Sequence, residues 1–336
     1  MDVGIVAAVV LAFAFAFTNG FHDASNAIAT LVATRAARPG PAVVLAAAGN
    51  LIGPLVLGSA VANTIAGIAD IEPDDTVEVA IAALLAALGW NLLTWYRGLP
   101  SSSSHALVGG LVGAAVAAAG FDAVNWGGFD GWHPSGVIGV FVALAVSPFL
   151  GAAAAFIVLR LLRSGLRRGT RRFRRPVFNV QWVTSFALAL SHGANDAQKA
   201  IGVVAAVLLA EGVTSSFAAP LWVILGSGLA LTLGTALGGW RIARTIGRRI
   251  YDIRPLDGPA SQAGAAGVIL GASVAGAPVS TTHVVASSVI GTGGGRGRWR
   301  RVRWAIVREM GVAWVTTVPA TALVAAGLFA VWRLLS

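Results

Sequence analysis

The sequence contains no cysteine and very little charge. None of its 336 residues is cysteine, which excludes disulfide bonds, thiol catalysis and thiolate metal sites. Only 11% of the residues are charged, whereas soluble domains have about a quarter of their residues in the charged classes. Together with a hydrophobic content of 56%, this scarcity of charge excludes a soluble globular protein and indicates a membrane protein.

Long apolar segments follow one another along the chain. Each is close to the roughly 20 residues that a helix needs to cross ~30 Å of hydrocarbon, so they predict an all-α polytopic protein with about 10–12 membrane segments. Two pairs of segments have an alternative reading, in which residues 77–119 and 259–293 each form a re-entrant hairpin. The predicted segments are residues 3–33, 42–62, 77–97, 100–119, 136–160, 178–210, 219–240, 259–275, 278–293 and 304–335.

Among the loops between apolar segments, only alternate ones contain arginine. These arginines follow every second apolar segment and are densest in residues 161–176, whereas the intervening loops contain Asp and Glu but no Lys or Arg. Under the positive-inside rule this alternation predicts a cell-membrane protein whose Arg-rich linker is cytoplasmic and whose termini both lie outside. The net charge of +10 is then explained by orientation and anionic lipid, and no nucleic-acid partner is expected.

The two halves of the chain resemble each other. Residues 20–28 align with 193–201, and residues 100–105 align with 278–283. An odd number of crossings in each half would make the second copy inverted, and inverted repeats with broken helices are typical of secondary transporters. The predicted units are a first inverted repeat, an Arg-rich cytoplasmic linker and a second inverted repeat, at residues 1–160, 161–176 and 177–336.

Three ionisable residues interrupt the apolar segments, and two of them, Asp23 and Asp196, stand at related positions of the two halves. Asp23, Asp196 and Lys199 each lie where a charge costs about 2.5–3.5 kcal/mol at the centre of a membrane helix. They could simply join helices by hydrogen bonds, but the recurrence of the Asp residue in both repeats favours a functional role. Gly20 and Gly193 precede them and predict helix breaks that expose backbone groups to a ligand.

A proline followed by hydroxyl side chains also occurs in both halves. Pro100 and Pro278 each predict the start of a helix, where free N–H groups and the positive end of the helix dipole can bind an anion. Ordinary N-capping by Ser and Thr is the alternative. His105 and His283 follow the clusters and either contact the substrate or hydrogen-bond the turn. The hydroxyl clusters are Ser102, Ser103 and Ser104 in the first half and Ser280, Thr281 and Thr282 in the second.

Four motifs resemble those of one transporter family. Residues 19–27 and 191–199 are similar to the paired signatures of the inorganic phosphate transporter (PiT) family, and residues 90–105 and 278–291 are similar to its two Ser/Thr-His elements. The resemblance covers nearly the whole chain. It implies a symporter that moves inorganic phosphate with a cation through an inverted-repeat fold with helical hairpins.

The sequence departs from the family pattern at two positions, and both departures bear on the identity of the coupling cation. His22 stands where many members have Asn, and Lys199 stands where the first half has Asn26. Both positions are expected near a ligand or coupling ion, so the identity of the ion stays open. The Gln198-Lys199 pair resembles the bacterial low-affinity permeases more than the sodium-coupled animal members.

Charge balance then suggests roles for the polar residues. Two carboxylates and one ammonium, joined by an anionic phosphate, leave excess negative charge in a low-dielectric site, so a cation must enter with the substrate. Protons are the favoured cation, and sodium or a metal ion bound to phosphate are alternatives; no cofactor is expected. The coupling-cation residues predicted are Asp23, Asn26, Asn195 and Asp196; the phosphate residues are Ser102, Ser103, Ser104, Ser280, Thr281, Thr282 and Lys199; the second contacts are His22, His105 and His283.

Three other functions are compatible with parts of this pattern. A sulfate or other oxyanion permease would use the same hydroxyl and N–H groups. An anion channel fits less well, since paired carboxylates would obstruct a passive anion pore. A hydrolase built on Ser104 and His105 is disfavoured because adjacent helix residues point about 100° apart and no orienting acid is near, so an enzyme is not expected. Whether the protein forms a homo-oligomer such as a dimer stays open.

Overall fold

The protein is almost entirely helical. The computed structural model describes residues 2–165, 174–237, 243, 246 and 250–335, and residues 166–173 of the predicted linker lie outside this description. A two-stranded β-ribbon, β1 Phe129–Asp130 with β2 His133–Pro134, is the one sheet among the described residues. The helices are α1 Val3–Ala33, α2 Pro39–Val56, α3 Ala60–Ala66, α4 Pro73–Arg97, α5 Ser103–Ala119, α6 Gly136–Gly165, α7 Arg174–Ala210, α8 Leu221–Leu237, α9 Asp257–Val274, α10 Thr281–Gly295 and α11 Trp304–Leu335.

Five of the described helices are long and apolar enough to cross a membrane. They are α1, α2, α6, α11 and most of α4, while α5 and α8 are equally apolar but shorter. Helix α7 is the longest and contains the Asp196–Lys199 charges that lower its hydropathy. The prediction of an all-α polytopic membrane protein is confirmed.

One predicted segment is divided in two. The segment at 42–62 ends as helix α2 at Val56 and resumes as the short helix α3 at Ala60. Between them Gly58 has a φ of 69°, a left-handed conformation that glycine adopts without strain. The chain therefore changes direction here, which the apolar composition of the segment concealed.

The helix breaks predicted at Gly20 and Gly193 are wrong. Helices α1 and α7 run without interruption through both glycines. A Cβ at Gly20 would lie 2.0 Å from the Leu231 carbonyl oxygen, and a Cβ at Gly193 would lie 2.5 Å from Asn50 Cα. The glycines therefore allow close contact between helix backbones, as small residues do in membrane proteins.

The helices of the two halves interlock in a pattern that the sequence repeat relates. Helix α1 packs on α8, and its counterpart α7 packs on α2. Helix α5 packs on α11, and its counterpart α10 packs on α6. The fold class of two inverted repeats is thereby supported by reciprocal packing, while the exact repeat boundaries stay a prediction.

Helices α4 with α5, and α9 with α10, form two hairpins. The ends of the first hairpin lie together, because Asp70 N donates to the Ala123 carbonyl at 2.8 Å. In the second hairpin, Arg296 Nε lies 2.6 Å from Asp257 Oδ1. The two tips meet where Ser104 Oγ donates to the Val279 carbonyl at 2.8 Å. This arrangement fits the re-entrant reading of both segment pairs.

Candidate functional site

A band of buried polar residues crosses the middle of α1 and α7. The apolar core forms two clusters, one containing Phe15 and the other Ile28, and the polar band of α1 lies between these two residues in sequence. Asp23 is 1% exposed, and Asp196 and Lys199 are 0% exposed. A location this deep is rare for ionisable residues unless they are paired.

The carboxylates of the two halves converge as the sequence predicts. One oxygen of Asp23, one oxygen of Asp196 and one ring nitrogen of His192 lie within 4.8 Å of one another. Residues from helices α1 and α7, which are 173 positions apart in sequence, therefore form a single centre. Two buried carboxylates at this distance repel each other unless a positive group is shared between them.

The first-half carboxylate is only partly satisfied. Thr282 Oγ1 donates to Asp23 Oδ1 at 2.7 Å, and His22 Nδ1 lies 2.9 Å from the same oxygen. Asn26, three residues further along the same helix face, donates from Nδ2 to Thr282 Oγ1 at 3.2 Å. Asp23 Oδ2 and Asn26 Oδ1 are buried and have no hydrogen-bond partner within the described part of the chain. Such an orphaned acceptor costs about 1–3 kcal/mol, so both oxygens are suited to receive a cation.

The second-half carboxylate has partners on both oxygens. Asp196 Oδ1 forms an ion pair with the Lys199 ammonium. Thr281 Oγ1 donates to Asp196 Oδ2 at 3.1 Å, and His192 Nε2 lies 3.0 Å from that oxygen. His192 is in turn held from the other side, where its Nδ1 lies 2.9 Å from Asn50 Oδ1.

The N-terminus of α10 joins the two carboxylates. Thr281 and Thr282, its first two residues, contact Asp196 and Asp23 respectively. Ser280 is the N-cap and accepts from His283 N at 3.3 Å, which is the capping role that the sequence offered as an alternative. Helix-end N–H groups without intrahelical partners are thus placed beside the carboxylate centre.

The hydroxyl cluster of the first half is arranged differently. Ser102 caps α5, accepts from His105 N at 3.2 Å and lies 2.7 Å from His105 Nδ1. Ser103 Oγ donates to Asn19 Oδ1 at 2.9 Å, and Ser104 is engaged by the facing hairpin tip. None of the three side chains has a described hydrogen bond to a carboxylate of the centre.

Other predicted residues lie around the centre. Asn195 Nδ2 donates to Ser273 Oγ at 3.0 Å, which directs its amide nitrogen toward α9. The His105 and His283 rings lie 4.8 Å apart, and His283 stacks on Trp314 at 3.7 Å. These rings line a largely apolar cavity of about 730 Å³ whose lining includes neither carboxylate.

Sequence reasoning missed His192 and Asn50 as parts of the site. His192 lies four residues before Asp196, so its position on the same helix face was a usable signal. Asn50 had no such signal, because it reaches the site only through the packing of α2 against α7.

Comparison with known proteins identifies the family. The model of the Phosphate transporter family matches residues 19–179 and again residues 169–325. The chain belongs to the phosphate transporter family. The two successive matches agree with the internal repeat, and the family assignment confirms the resemblance found in the four motifs.

Individual members of the family are similar over almost the whole chain. A "Probable low-affinity inorganic phosphate transporter" of Bacillus subtilis (strain 168) is 42% identical over 328 residues, which cover 95% of this chain and 94% of that protein. A protein of the same description from Rhizobium meliloti (strain 1021) is 41% identical and covers 96% of this chain and 94% of its own length.

A solved structure is similar across both chains in full. It is titled "The sodium-dependent phosphate transporter", and it superimposes with a TM-score of 0.88 at 25% identity, covering 100% of each chain. These relatives are transporters, and this chain is a transporter rather than an enzyme.

Proposed function

We propose that the protein is a secondary transporter that moves inorganic phosphate across the cell membrane together with a cation. The observation that carries the proposal is the pair of buried carboxylates, Asp23 and Asp196, joined by the first turn of α10. The family membership and the names of the relatives support phosphate as the substrate. The sodium-dependent structural neighbour supports coupling to a cation.

The anion would bind at the hairpin tips. Thr281, Thr282 and the N–H groups of α10 offer donors to phosphate oxygens, and the Lys199 ammonium adds positive charge nearby. Ser102, Ser103, Ser104 and Ser280 complete the proposed phosphate residues, and His22, His105 and His283 are second contacts. The Thr281 and Thr282 hydroxyls donate to the carboxylates in this structure. When phosphate binds, they would donate to phosphate oxygens instead.

The coupling cation would bind beside the anion. Asp23 Oδ2 and Asn26 Oδ1 are buried acceptors that lack partners among the described residues. In the second half the proposed cation residues are Asp196, which aligns with Asp23, and Asn195, whose Oδ1 also lacks a described partner. Without a cation, adding an anion to this centre would gather like charges in a low-dielectric environment. A proton is the favoured cation and sodium is the alternative.

Alternating access would use the two repeats. The centre is asymmetric, because both carboxylates contact the tip of the second hairpin and neither has a described bond to Ser103 or Ser104. Rocking of one repeat against the other would exchange these contacts between the two tips. The predicted repeats at 1–160 and 177–336 would be the moving units, with both termini outside and residues 161–176 cytoplasmic.

Uptake into proteoliposomes tests the substrate and the cation. We expect radiolabelled phosphate to accumulate under an imposed proton gradient without sodium, and a large saturating excess of unlabelled phosphate to suppress the accumulation of label. Accumulation only with a sodium gradient would replace the proton by sodium. If labelled sulfate accumulated instead and phosphate did not, the substrate assignment would be wrong.

A further inference from the structure

Lys199 is the only lysine in the sequence. All the other residues in the combined count of lysine and arginine are arginines, and most of them lie in the loops. Lys199 is 0% exposed, and its ammonium is paired with Asp196 in the carboxylate centre. The loops use the planar guanidinium, whereas this one buried position uses a compact ammonium with three donors.

The internal repeat shows what stands at the equivalent position of the first half. Lys199 aligns with Asn26, and Asp196 aligns with Asp23. In the first half, Asp23 Oδ2 and Asn26 Oδ1 have no partner among the described residues. In the second half, the ammonium lies on Asp196 Oδ1, and both oxygens of the carboxylate are contacted. The second-half carboxylate is therefore paired with a Lys ammonium, whereas the first-half carboxylate has His22 Nδ1 at 2.9 Å from one oxygen and no described partner on the other.

We infer that the Lys199 ammonium permanently takes the place of one coupling cation, so that only the first half needs a mobile one. The inference rests on the proposed function, because it concerns the number of cations that accompany phosphate. A tethered cation neutralises Asp196 in every state of the cycle but is not transported. The protein would therefore move one positive charge fewer per phosphate than a transporter with Asn at both positions.

The test restores the first-half chemistry in the second half. In Lys199→Asn, Asp196 loses its permanent counter-ion, and a buried unpaired charge is strongly disfavoured. A proton or sodium ion must then accompany phosphate at this site as well. We expect the charge moved per phosphate, obtained from reversal potentials in proteoliposomes, to increase by one. Lys199→Arg keeps the tethered positive charge but not its shape, so its transport rate is expected to fall, while the charge moved with each phosphate that it does transport should equal the wild-type value. A Lys199→Asn protein that transports phosphate with the wild-type ratio would overturn the inference.

A binding measurement decides the matter if Lys199→Asn does not transport. Purified protein in detergent is dialysed against radiolabelled phosphate and radiolabelled sodium, and proton uptake is followed in weak buffer. We expect the sum of sodium ions and protons bound per phosphate to be larger by one in Lys199→Asn than in the wild type. Equal sums would contradict the inference. The converse variant, Asn26→Lys, should lower the sum by one and covers the case in which Lys199→Asn does not fold.

The two proposals fail in different ways. If the wild type accumulates no phosphate under any gradient, the proposed function is wrong. If the wild type accumulates phosphate but Lys199→Asn and Asn26→Lys leave the cation count unchanged, only the role given to Lys199 is wrong.

Discussion

At the scale of single residues, one hydroxyl group connects the first-half signature to the tip of the second hairpin. Thr282 Oγ1 donates to Asp23 Oδ1 and accepts from Asn26 Nδ2, so it fixes the first-half cation residues to the tip of the second hairpin. A hydrogen bond to a charged group contributes about 1.5–3 kcal/mol, more than a neutral one. In the proposed transport cycle this residue would couple the cation site to the anion site directly.

Removing that hydroxyl should impair transport without removing the residue's volume. For Thr282→Val we expect initial phosphate uptake to fall about 10- to 100-fold, because each 1.4 kcal/mol corresponds to a factor of ten. Thr282→Ser keeps the hydroxyl and should stay within about threefold of the wild type. Uptake in proteoliposomes with matched protein amounts measures both. Equal rates for the Val and Ser variants would show that the hydroxyl has no such role.

The buried charged residues could be predicted from the sequence, but the residues that contact them could not. Asp23, Asp196 and Lys199 stand out because charge in an apolar segment is costly and because the motif recurs. His192 and Asn50 are ordinary residues until the packing of α2 on α7 is known, and then they form one side of the carboxylate centre. Contacts between distant helices leave no periodic signal in a single sequence.

At the scale of helices, close backbone contacts hold the two halves together. A Cβ at Gly20 would lie 2.0 Å from the Leu231 carbonyl oxygen, and a Cβ at Gly234 would lie 2.0 Å from the Phe17 carbonyl oxygen. The two contacts are reciprocal across the interface of α1 and α8. No side chain fits there unless the helices separate.

We expect Gly20→Ala to destabilise the protein by about 1–3 kcal/mol, the usual cost of overpacking. The change should appear as a lower midpoint of thermal unfolding in detergent. Gly327→Ala is the control, because a Cβ at Gly327 has no heavy atom within 4 Å, and its midpoint should not fall. A Gly20→Ala protein as stable as the control would show that α1 and α8 can separate freely at this point.

The helices themselves were largely predictable, but the meaning of their glycines was not. Apolar length located nearly every helix, and the Pro-hydroxyl clusters located the starts of α5 and α10 within a few residues. Glycine before a buried carboxylate is compatible with a helix break and with close packing alike. The sequence does not distinguish a helix break from close packing, because the answer depends on which helix backbone lies against the glycine.

At the scale of the whole molecule, charge sorting predicts how the chain sits in the membrane. The protein has no cysteine, so single cysteines introduced into exposed loops are the only thiols present. Ser164 lies in the last turn of α6, within the predicted Arg-rich linker, whereas Ser215 lies in the loop between α7 and α8, and both are exposed. The positive-inside rule places the first in the cytoplasm and the second outside.

We therefore expect a membrane-impermeant maleimide to label Ser215→Cys in intact cells, and to label Ser164→Cys only after permeabilisation. Both variants are conservative and should retain phosphate uptake. Labelling of Ser164→Cys in intact cells, with protection of Ser215→Cys, would reverse the orientation and place both termini inside.

The central claim is that Asp23 handles the cation that drives phosphate transport. The most direct test compares wild type and Asp23→Asn for radiolabelled phosphate accumulation in proteoliposomes under an imposed cation gradient. Asn keeps the shape of the side chain but removes its charge, so we expect accumulation to fall at least tenfold and to lose its dependence on the gradient. Accumulation by Asp23→Asn that equals the wild type and still follows the gradient would contradict the account.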